Sequence, residues 1–321
     1  MSAREQILIN TAQRNSDASG ITLTTEELKQ VGQHWAEHQD AFSAQKHWMG
    51  VPQVQARINK KVSGDANTDL FAYVIREYFL RHGRTPENCL SLGSGDGTLE
   101  IGLTQYVTPK NHIGIEISEA LVRLAGERAA ALPHIRYQQA DLNVCALEAN
   151  EYDLVIAHQS LHHVLNLEGL FEQVKRAMRP QAIFVFDEYV GPRRFQWTDR
   201  QLECINAIIQ LLPASLAKDV QTGLTRQYVF RCTPEDVAAV DPSEAIRSDD
   251  ILPLAEANFQ IVEFRPYGGT ILHMLLHMRA GNFLTEEGKP WLDLLFELED
   301  LLLLELGSDF AAAICTSPQS D

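Results

Sequence analysis

The sequence is poor in cysteine, has no long uncharged apolar run and lacks a recognisable targeting segment. Its five cysteines are widely scattered, and no CxxC pair occurs, so we predict neither a disulfide framework nor a zinc site. The leucine-rich segment at residues 291–306 contains five acidic residues, so we expect no membrane span. The N-terminus carries Arg4 and Glu5 and no apolar run of the kind found in signal peptides. These absences favour a cytoplasmic protein.

Basic residues are also scarce. The chain has 27 lysines and arginines against 43 aspartates and glutamates, a formal net charge of −16. Affinity for nucleic acid depends largely on Lys and Arg that neutralise phosphates, so we expect no nucleic-acid partner, although a local basic patch is compatible with this balance. With 321 residues and 45% hydrophobic content, the chain can bury one large core or two smaller ones.

The pattern of apolar residues changes near residue 88. Before it, helical periodicity covers residues 22–48, with Thr24 or Thr25 as the N-cap, and residues 68–82. After it, short apolar runs alternate with helical stretches, at 89–92, 112–117, 135–139, 154–157 and 182–187. This alternation predicts right-handed crossovers and a parallel sheet, hence a doubly wound α/β fold. Two later strands are predicted at 259–265 and 310–315.

A glycine-rich loop follows the first predicted strand. Gly93, Gly95 and Gly97 form a GxGxG pattern between a strand and a helix, where glycine lets the backbone turn tightly and a ligand approach closely. Thr98 stands where the dinucleotide fingerprint requires glycine, and no lysine follows as in a P-loop. A ligand-binding loop is therefore favoured over a nicotinamide site, and a purely structural turn is the alternative.

Two acidic residues end the next two strands. Glu116 stands at the tip of the second strand, where a carboxylate can accept hydrogen bonds from both hydroxyls of a ribose. Asp141 follows the third strand and can accept a hydrogen bond from an adenine amino group. The alternatives are an ordinary surface glutamate and an aspartate that caps a turn.

These three features, in this order and spacing, resemble the class I S-adenosylmethionine (SAM)-dependent methyltransferases of type 11 and type 12. The resemblance covers about residues 86–190 and implies a doubly wound, mostly parallel, seven-stranded Rossmann-like sheet, with residues 310–315 as the antiparallel seventh strand. It implies SAM as cofactor and S-adenosylhomocysteine (SAH) as product. The cofactor-binding residues that it implies are Gly93, Ser94, Gly95, Asp96 and Gly97 along the methionine, Glu116 and Ile117 at the ribose and adenine, Asp141 and Leu142 at the adenine edge, and His158 and Gln159 near the sulfonium.

Candidate catalytic residues follow the fourth and fifth strands. A hydroxyl acceptor benefits from a general base, and histidine titrates near neutral pH, so His163 is a candidate base. Glu188 is a candidate to orient or deprotonate the acceptor. The alternatives are packing of His163 against the next helix and a structural bond from Glu188 to the following insert. Asp187, Glu188 and His162 could supply metal ligands, but no characteristic ligand spacing is present, so we expect no metal.

The sequence also resembles, more weakly, a subgroup of bacterial methyltransferases linked to polysaccharide and glycan assembly. This resemblance rests on Trp35, His47-Trp48, residues 57–60 with Ser63-Gly64, and residues 188–197. It implies methyl transfer to a hydroxyl of a small molecule or glycan, which would be a sugar, a nucleotide-sugar or a polysaccharide. The alternatives are methylation of protein or RNA, and a SAM-binding module without activity.

We divide the chain into an N-terminal helical cap at residues 1–64 and a methyltransferase domain at residues 65–321. Helical insertions are expected at about 192–256 and 268–306. The aromatic residues Trp35, Phe42, Trp48 and Tyr73 of the N-terminal helices are expected to cover the cofactor cleft, and the alternative is that they only pack these helices on the edge of the sheet. The leucine-rich helix at 291–306 has one acidic face, and its apolar faces predict either core packing or a homodimer interface.

Overall fold

The structure, a computed structural model, describes residues 23–37 and 43–318. The part of the predicted cap at residues 1–22 and the predicted cover by Phe42 lie outside these residues. The described chain forms a seven-stranded sheet in the order β3-β2-β1-β4-β5-β7-β6. Its strands are β1 (Asn88–Leu92), β2 (Asn111–Glu116), β3 (Ile135–Gln139), β4 (Tyr152–His158), β5 (Met178–Tyr189), β6 (Gln260–Gly268) and β7 (Phe310–Thr316).

The sheet is mixed, with one reversed strand. β1 to β5 pair in parallel, whereas β7 runs antiparallel between β5 and β6. The α/β fold class and the antiparallel last strand are thereby confirmed. Two strand boundaries differ clearly from the prediction. The fifth strand begins at Met178 and not at residue 182, because the preceding helix already ends at Ala177, and the strand predicted at 259–265 continues to Gly268, because its pairing with β7 extends that far.

Helices cover both faces of the sheet. The first begins with a capping box, in which Thr24 and Glu27 each accept a hydrogen bond from the other's backbone N–H. The helices are α1 (Thr25–Glu37), α2 (Pro52–Ser63), α3 (Leu70–Val74), α4 (Thr98–Leu103), α5 (Glu119–Arg128), α6 (Leu167–Ala177), α7 (Asp199–Leu211), α8 (Pro234–Val240), α9 (Ile251–Asn258), α10 (Leu272–Leu276) and α11 (Gly288–Leu306).

Two hydrophobic clusters lie on opposite faces of the sheet, because side chains alternate along each strand. On β5, Ile183 and Val185 join the cluster that contains α2, α3, α7, α10 and α11. Phe184 and Phe186 join the cluster of α6 and α9 on the other face. Burial of each phenylalanine contributes about 2–3 kcal/mol, so the central strands anchor the fold from both sides.

The N-terminal segment shares the core of the sheet. Trp48 is fully buried, with its ring centroid 5.0 Å from that of Phe310 on β7 and 6.3 Å from that of Tyr267 on β6. Val54 and Ile58 of α2 belong to the same cluster. The boundary that we predicted at residue 64 therefore does not separate two hydrophobic cores.

The leucine-rich helix α11 is fixed to α2 by charge. Arg57 binds the fully buried Glu299 at 3.0 Å and Asp300 at 2.7 Å, and Glu299 also accepts the backbone N–H groups of Ile271 and Leu272. Leu301 and Leu304, by contrast, are 66% and 88% exposed.

Across the described ranges 23–37 and 43–318, none of the helices combines the length and the apolar character that a membrane crossing requires.

Candidate active site

A cavity of about 520 Å³ opens at the carboxyl ends of β1 to β4. Open α/β sheets bind ligands at this edge. Two N-terminal helices close it from above, with Val31 and Trp35 from α1 and Gln55 and Ile58 from α2 in its wall. The predicted cover by Trp35 agrees with this position, whereas Trp48 packs in the core.

The glycine loop forms one wall of the cavity. Gly93 has φ +72°, and a Cβ there would lie 2.4 Å from Cβ of Ser160. Its N–H and that of Ser94 both donate to the carbonyl of Ile115 on β2. The hydroxyl of Ser94 is buried and has no hydrogen-bond partner among the described residues. The loop therefore offers a close backbone approach and a free polar atom, which fits a polar ligand.

Gly97 is the exception in this loop. It does not line the cavity, unlike Gly93, Ser94, Gly95 and Asp96. A Cβ at Gly97 would lie 2.4 Å from the hydroxyl oxygen of Tyr137, and its φ is +80°. This glycine allows α4 to begin close to β3, and its expected place along the methionine stays a prediction.

Glu116 lies at the end of β2 and faces the cavity. One carboxylate oxygen accepts the N–H of Gly95 at 3.0 Å, and the other accepts the N–H of Ser118 at 2.9 Å. Burial raises the pKa of Glu116, and these backbone hydrogen bonds oppose the rise. These two hydrogen bonds fix the orientation of the carboxylate. Each oxygen can still accept a further hydrogen bond from a ligand.

Asp141 and Leu142 line the opposite end of the cavity, as does Ile117. One oxygen of Asp141 accepts both the backbone and side-chain N–H groups of Asn143, at 2.9 and 2.8 Å. One oxygen of Asp141 therefore caps the turn, as the alternative interpretation expected. The second oxygen stays available for a ligand.

Side chains from three strands meet at the tip of β4. Nδ1 of His158 lies 3.1 Å from a carboxylate oxygen of Asp187, which stands opposite it in the strand register. The other oxygen of Asp187 accepts the hydroxyl of Tyr267 at 2.5 Å. Gln159, with φ +52°, directs its side-chain amide to the same tyrosine at 3.4 Å. All four residues line the cavity.

The ionisation of His158 follows from these neighbours. Burial by itself would lower the pKa of His158, but the hydrogen bond and charge of Asp187 outweigh it and raise the pKa above the usual value of 6.5. The carboxylate of Asp187 therefore both stabilises the protonated imidazole and holds its Nδ1 side in a fixed orientation.

The two predicted catalytic residues occupy different positions. His163 lines the cavity, and burial lowers its pKa well below 6.5. Glu188 is fully buried and does not line the cavity. Its carboxylate accepts the backbone N–H groups of Ser160 and Leu161, at 2.6 and 2.7 Å, and contacts Nδ1 of His162 at 2.7 Å. Glu188 therefore holds the loop after β4, which agrees with a structural role, and its expected part in the reaction stays a prediction.

Sequence reasoning missed a buried carboxyl group in the cavity wall. Glu100 lies on α4, and both of its oxygens are buried without a hydrogen-bond partner in the part of the chain that the structure describes. Burial raises the pKa of Glu100 to about 7. The sequence signal was an acid between apolar Leu99 and Ile101, on a helix that follows a ligand-binding loop.

A second cavity of about 280 Å³ adjoins the first. The two cavities share six lining residues, which are Gln55, Ile58, Thr98, Leu99, His158 and Asp187, so the histidine–aspartate pair stands at their junction together with residues of α2 and α4. The walls of the second cavity are apolar with interspersed polar groups, and they include Gln55, Ile58, Asn59, Val62, Asp69, Leu70, Phe71, Leu99, Leu103 and Gln105.

Comparison with known proteins identifies the central part of the chain. Residues 90–186 match the family described as "Methyltransferase domain". A 2-phytyl-1,4-naphtoquinone methyltransferase of Trichormus variabilis is 24% identical over 148 residues, which are 45% of this chain and 62% of that protein. A malonyl-[acyl-carrier protein] O-methyltransferase of Marinomonas sp. is 29% identical over 97 residues, 30% of this chain and 36% of that protein. The chain thus spans less than two thirds of these curated relatives.

A solved structure extends the similarity in fold. Geranyl diphosphate C-methyltransferase from Streptomyces coelicolor A3(2), in complex with Mg²⁺, geranyl diphosphate and SAH, has a TM-score of 0.51 at 13% identity. The similarity covers 92% of this chain and 100% of that one. At 13% identity, this similarity is evidence for the fold alone. Residues 90–186, which contain the glycine loop and the strand-end acids, match the methyltransferase domain family and are similar to the two methyltransferases, and this supports SAM as the cofactor.

Proposed function

We propose that the protein transfers a methyl group from SAM to a hydroxyl of a small molecule or of a glycan, which would be a sugar, a nucleotide-sugar or a polysaccharide. One observation carries the proposal. The His158–Asp187 pair stands at the junction of the two cavities, which is where a methyl donor in one and a hydroxyl in the other would meet.

The larger cavity is the proposed cofactor site. Bound SAM supplies an already activated methyl group, so the residues around it need only bind and orient the reactants. Glu116 would hold the ribose hydroxyls, and Asp141 with Leu142 would hold the adenine edge. Gly93, Gly95 and the free hydroxyl of Ser94 would hold the methionine portion. The lid formed by Val31 and Trp35 would exclude water.

His158 is the proposed general base. Its neutral form would accept the hydroxyl proton at Nε2, while Asp187 stabilises the imidazolium that forms. The raised pKa of His158 gives a stronger base than His163, whose pKa burial lowers well below 6.5. We therefore move the predicted base from His163 to His158 and assign Glu188 to positioning the loop after β4.

The smaller cavity is the proposed acceptor site. Its volume of about 280 Å³ is near the lower end of the range for ligand pockets, so it suits one sugar ring or a molecule of similar size. The amides of Gln55, Asn59 and Gln105 provide donors and acceptors for hydroxyl groups, and Phe71 provides an apolar surface for a ring.

Methyl transfer to extract fractions would test the proposal. Protein and SAM labelled with tritium in the methyl group are incubated with cell extract that has been separated into small molecules, glycans, protein and RNA. We expect label in the small polar or glycan fraction, with a strong loss for His158→Gln, while His82→Gln, at an exposed histidine outside both cavities, labels like the wild type.

The other outcomes are separable. Label in protein or RNA would contradict the acceptor class and leave the cofactor assignment intact. Calorimetry with SAH addresses that assignment independently, and the absence of SAH binding would contradict the proposed function as a whole. SAH binding without transfer to any fraction would contradict the catalytic assignment and favour a SAM-binding module.

We also propose that two chains associate through α11. Leu294, Leu301 and Leu304 are 47%, 66% and 88% exposed on this helix, which is unusual for large apolar side chains that have no partner. Light scattering after gel filtration should give the mass of a dimer for the wild type and of a monomer for Leu301→Glu/Leu304→Glu. A wild-type monomer would contradict this assignment.

A further inference from the structure

We propose that His162, His163 and Glu244 bind a divalent transition-metal ion beside the cofactor cavity. One ligand atom from each of these side chains lies within 4.8 Å of those of the other two. Ligand atoms that lie about 2.0–2.2 Å from a shared ion are at most about 4.4 Å apart, so small side-chain rotations would bring all three atoms to one ion, and Nε2 of His162 already lies 3.7 Å from Glu244. Sequence analysis named His162 as a possible ligand but grouped it with Asp187 and Glu188 and expected no metal, because Glu244 is far from the histidines along the chain.

Both imidazoles are oriented as metal ligands usually are. Nδ1 of His162 lies 2.7 Å from the fully buried carboxylate of Glu188. Nδ1 of His163 lies 3.0 Å from the hydroxyl oxygen of Ser243, which donates to Asp241 at 2.7 Å. A carboxylate-linked hydrogen bond at one ring nitrogen fixes the tautomer and leaves the other nitrogen to the metal. Each ring thus has Nε2 left for a ligand role.

The polar atoms around this point lack partners. Nε2 of His163 and Oδ2 of Asp241 are buried and form no hydrogen bond with any described residue, and the side chain of Asp241 is only 2% exposed. Nε2 of His162 is 3.7 Å from Glu244, which is too long for a hydrogen bond. Buried polar atoms are nearly always satisfied, and a cation between the two histidines and Glu244 would satisfy those that face it.

The local charge also suits a cation. The carboxylates of Glu188, Asp241 and Glu244 surround the histidines, and the guanidinium of Arg194 lies beside them on the backbone carbonyls of Pro242 and Glu244. These three carboxyl groups outnumber the one guanidinium. Partly buried negative charge of this kind is costly unless a cation compensates it.

The donor set selects the class of ion. Two imidazoles and one carboxylate suit Zn²⁺, Co²⁺, Ni²⁺, Mn²⁺ or Fe²⁺ and not Mg²⁺ or Ca²⁺, which prefer oxygen ligands. Glu244 belongs to the segment between α8 and α9, whereas His163 lines the cofactor cavity and contacts Trp35 of the lid at 5.1 Å between ring centroids. A bound ion would thus fix the insert to the wall and lid of that cavity.

Metal titration of the full chain tests the proposal. Tag-free protein is stripped with a chelator, dialysed and titrated with Zn²⁺ in a calorimeter. We expect one equivalent to bind to the wild type, and Glu244→Gln and His163→Gln each to weaken binding at least about tenfold. Glu188→Gln, which removes the charge that orients His162, should weaken binding about 10–100-fold. Circular dichroism establishes that each variant is folded.

Two controls separate this site from adventitious binding. Cys232 is an exposed thiol that could bind zinc by itself, so Cys232→Ser should keep the wild-type affinity. The absorption spectrum of the Co²⁺ form should show nitrogen and oxygen ligands and no thiolate charge-transfer band. Absence of a one-equivalent site for Zn²⁺ and Co²⁺, or equal binding by wild type and Glu244→Gln, would overturn the proposal. SAH binding and methyl transfer are not needed for this readout.

Discussion

The two halves of the proposed site are built from the chain in different ways. The proposed cofactor half comes from three neighbouring strand ends, where Gly93, Glu116 and Asp141 end or closely follow a strand and meet because the strands are parallel neighbours. The proposed acceptor half begins at His158 and Asp187, which Tyr267 of β6 supports from the larger cavity, and it continues to α2. These elements lie far apart along the sequence. One half is thus fixed by local geometry and the other by tertiary packing.

This difference determines how each half should respond to substitution. In the cofactor half, backbone N–H groups hold the ligand-binding side chains, as between Gly95 and Glu116. In the acceptor half, side chains hold one another, as in the chain from Tyr267 through Asp187 to His158. Changes of backbone shape should therefore abolish binding in the first half, whereas changes of charge should alter turnover in the second.

The largest effect is expected at Gly93. Gly93→Val would place Cβ within 2.4 Å of Cβ of Ser160 at a φ of +72°, so the loop must move, and SAH binding should weaken by more than about 100-fold. Gly102→Ala is the matched control, since nothing lies within 4 Å of its Cβ, and it should bind SAH like the wild type. Calorimetry measures both. Near-normal binding by Gly93→Val would contradict the close approach in this loop.

The next effect concerns turnover. His158→Gln removes the proposed base but can keep a hydrogen bond to Asp187, so kcat should fall by about 10²-fold or more, while SAH affinity changes less than about twofold. His163→Gln serves as the comparison and should keep more activity. A larger loss of turnover for His163→Gln would return the base to the residue that the sequence first indicated.

The pH profile sharpens this assignment. A base must be neutral to accept a proton, so kcat/KM should fall as the pH drops through the pKa of His158, which Asp187 raises above 6.5. Asp187→Asn removes that charge while burial still lowers the pKa, so the acidic limb of the profile should move to lower pH. Identical profiles for the wild type and Asp187→Asn would exclude the pair from the titration that controls the rate.

A smaller effect is expected at Glu116. Glu116→Ala should weaken SAH binding by about tenfold or more, because two ribose hydroxyls would lose a buried acceptor. Calorimetry at constant pH provides the measurement, and Glu148→Gln, at an exposed loop position, provides the control. Unchanged affinity would remove Glu116 from the ribose site without affecting the glycine loop.

The strand-end residues could be predicted because a strand, its loop and its acid are contiguous in sequence. The choice between Asp187 and Glu188 could not, because neighbouring side chains on a strand point to opposite faces. Asp187 stands opposite His158 in the register and faces the cavity, whereas Glu188 points to the loop below it. The sequence does not reveal which of the two faces the ligand until β4 and β5 are aligned. Tyr267 could not be predicted, because β6 is placed beside the site by its pairing with β7, which in turn pairs with β5.

The smallest effect is expected at Glu100. This residue lies in the wall of the larger cavity, but the glycine motif before it did not reveal its role. Burial raises the pKa of Glu100 from 4.5 to about 7, so the folded state binds a proton between these values that the unfolded state has released. Stability is therefore lost as the pH rises from 4.5 through 7. Glu100→Gln removes this loss and should raise the melting temperature by a few degrees at pH 8.

The same variant should differ less from the wild type as the pH falls towards 4.5, because the unfolded state then begins to regain the proton that the folded state already holds, and protonated Glu100 resembles glutamine. Thermal unfolding without ligand, from pH 5.5 to pH 8.5, would show this converging pair of curves, and Glu148→Gln should track the wild type throughout. A constant difference at every pH would mean that Glu100→Gln acts through packing. It would also mean that the pKa of Glu100 is not raised in the folded state, which requires a partner for the carboxylate that is not among the described contacts. In that case even the half of the site that is encoded locally would depend on more distant contacts.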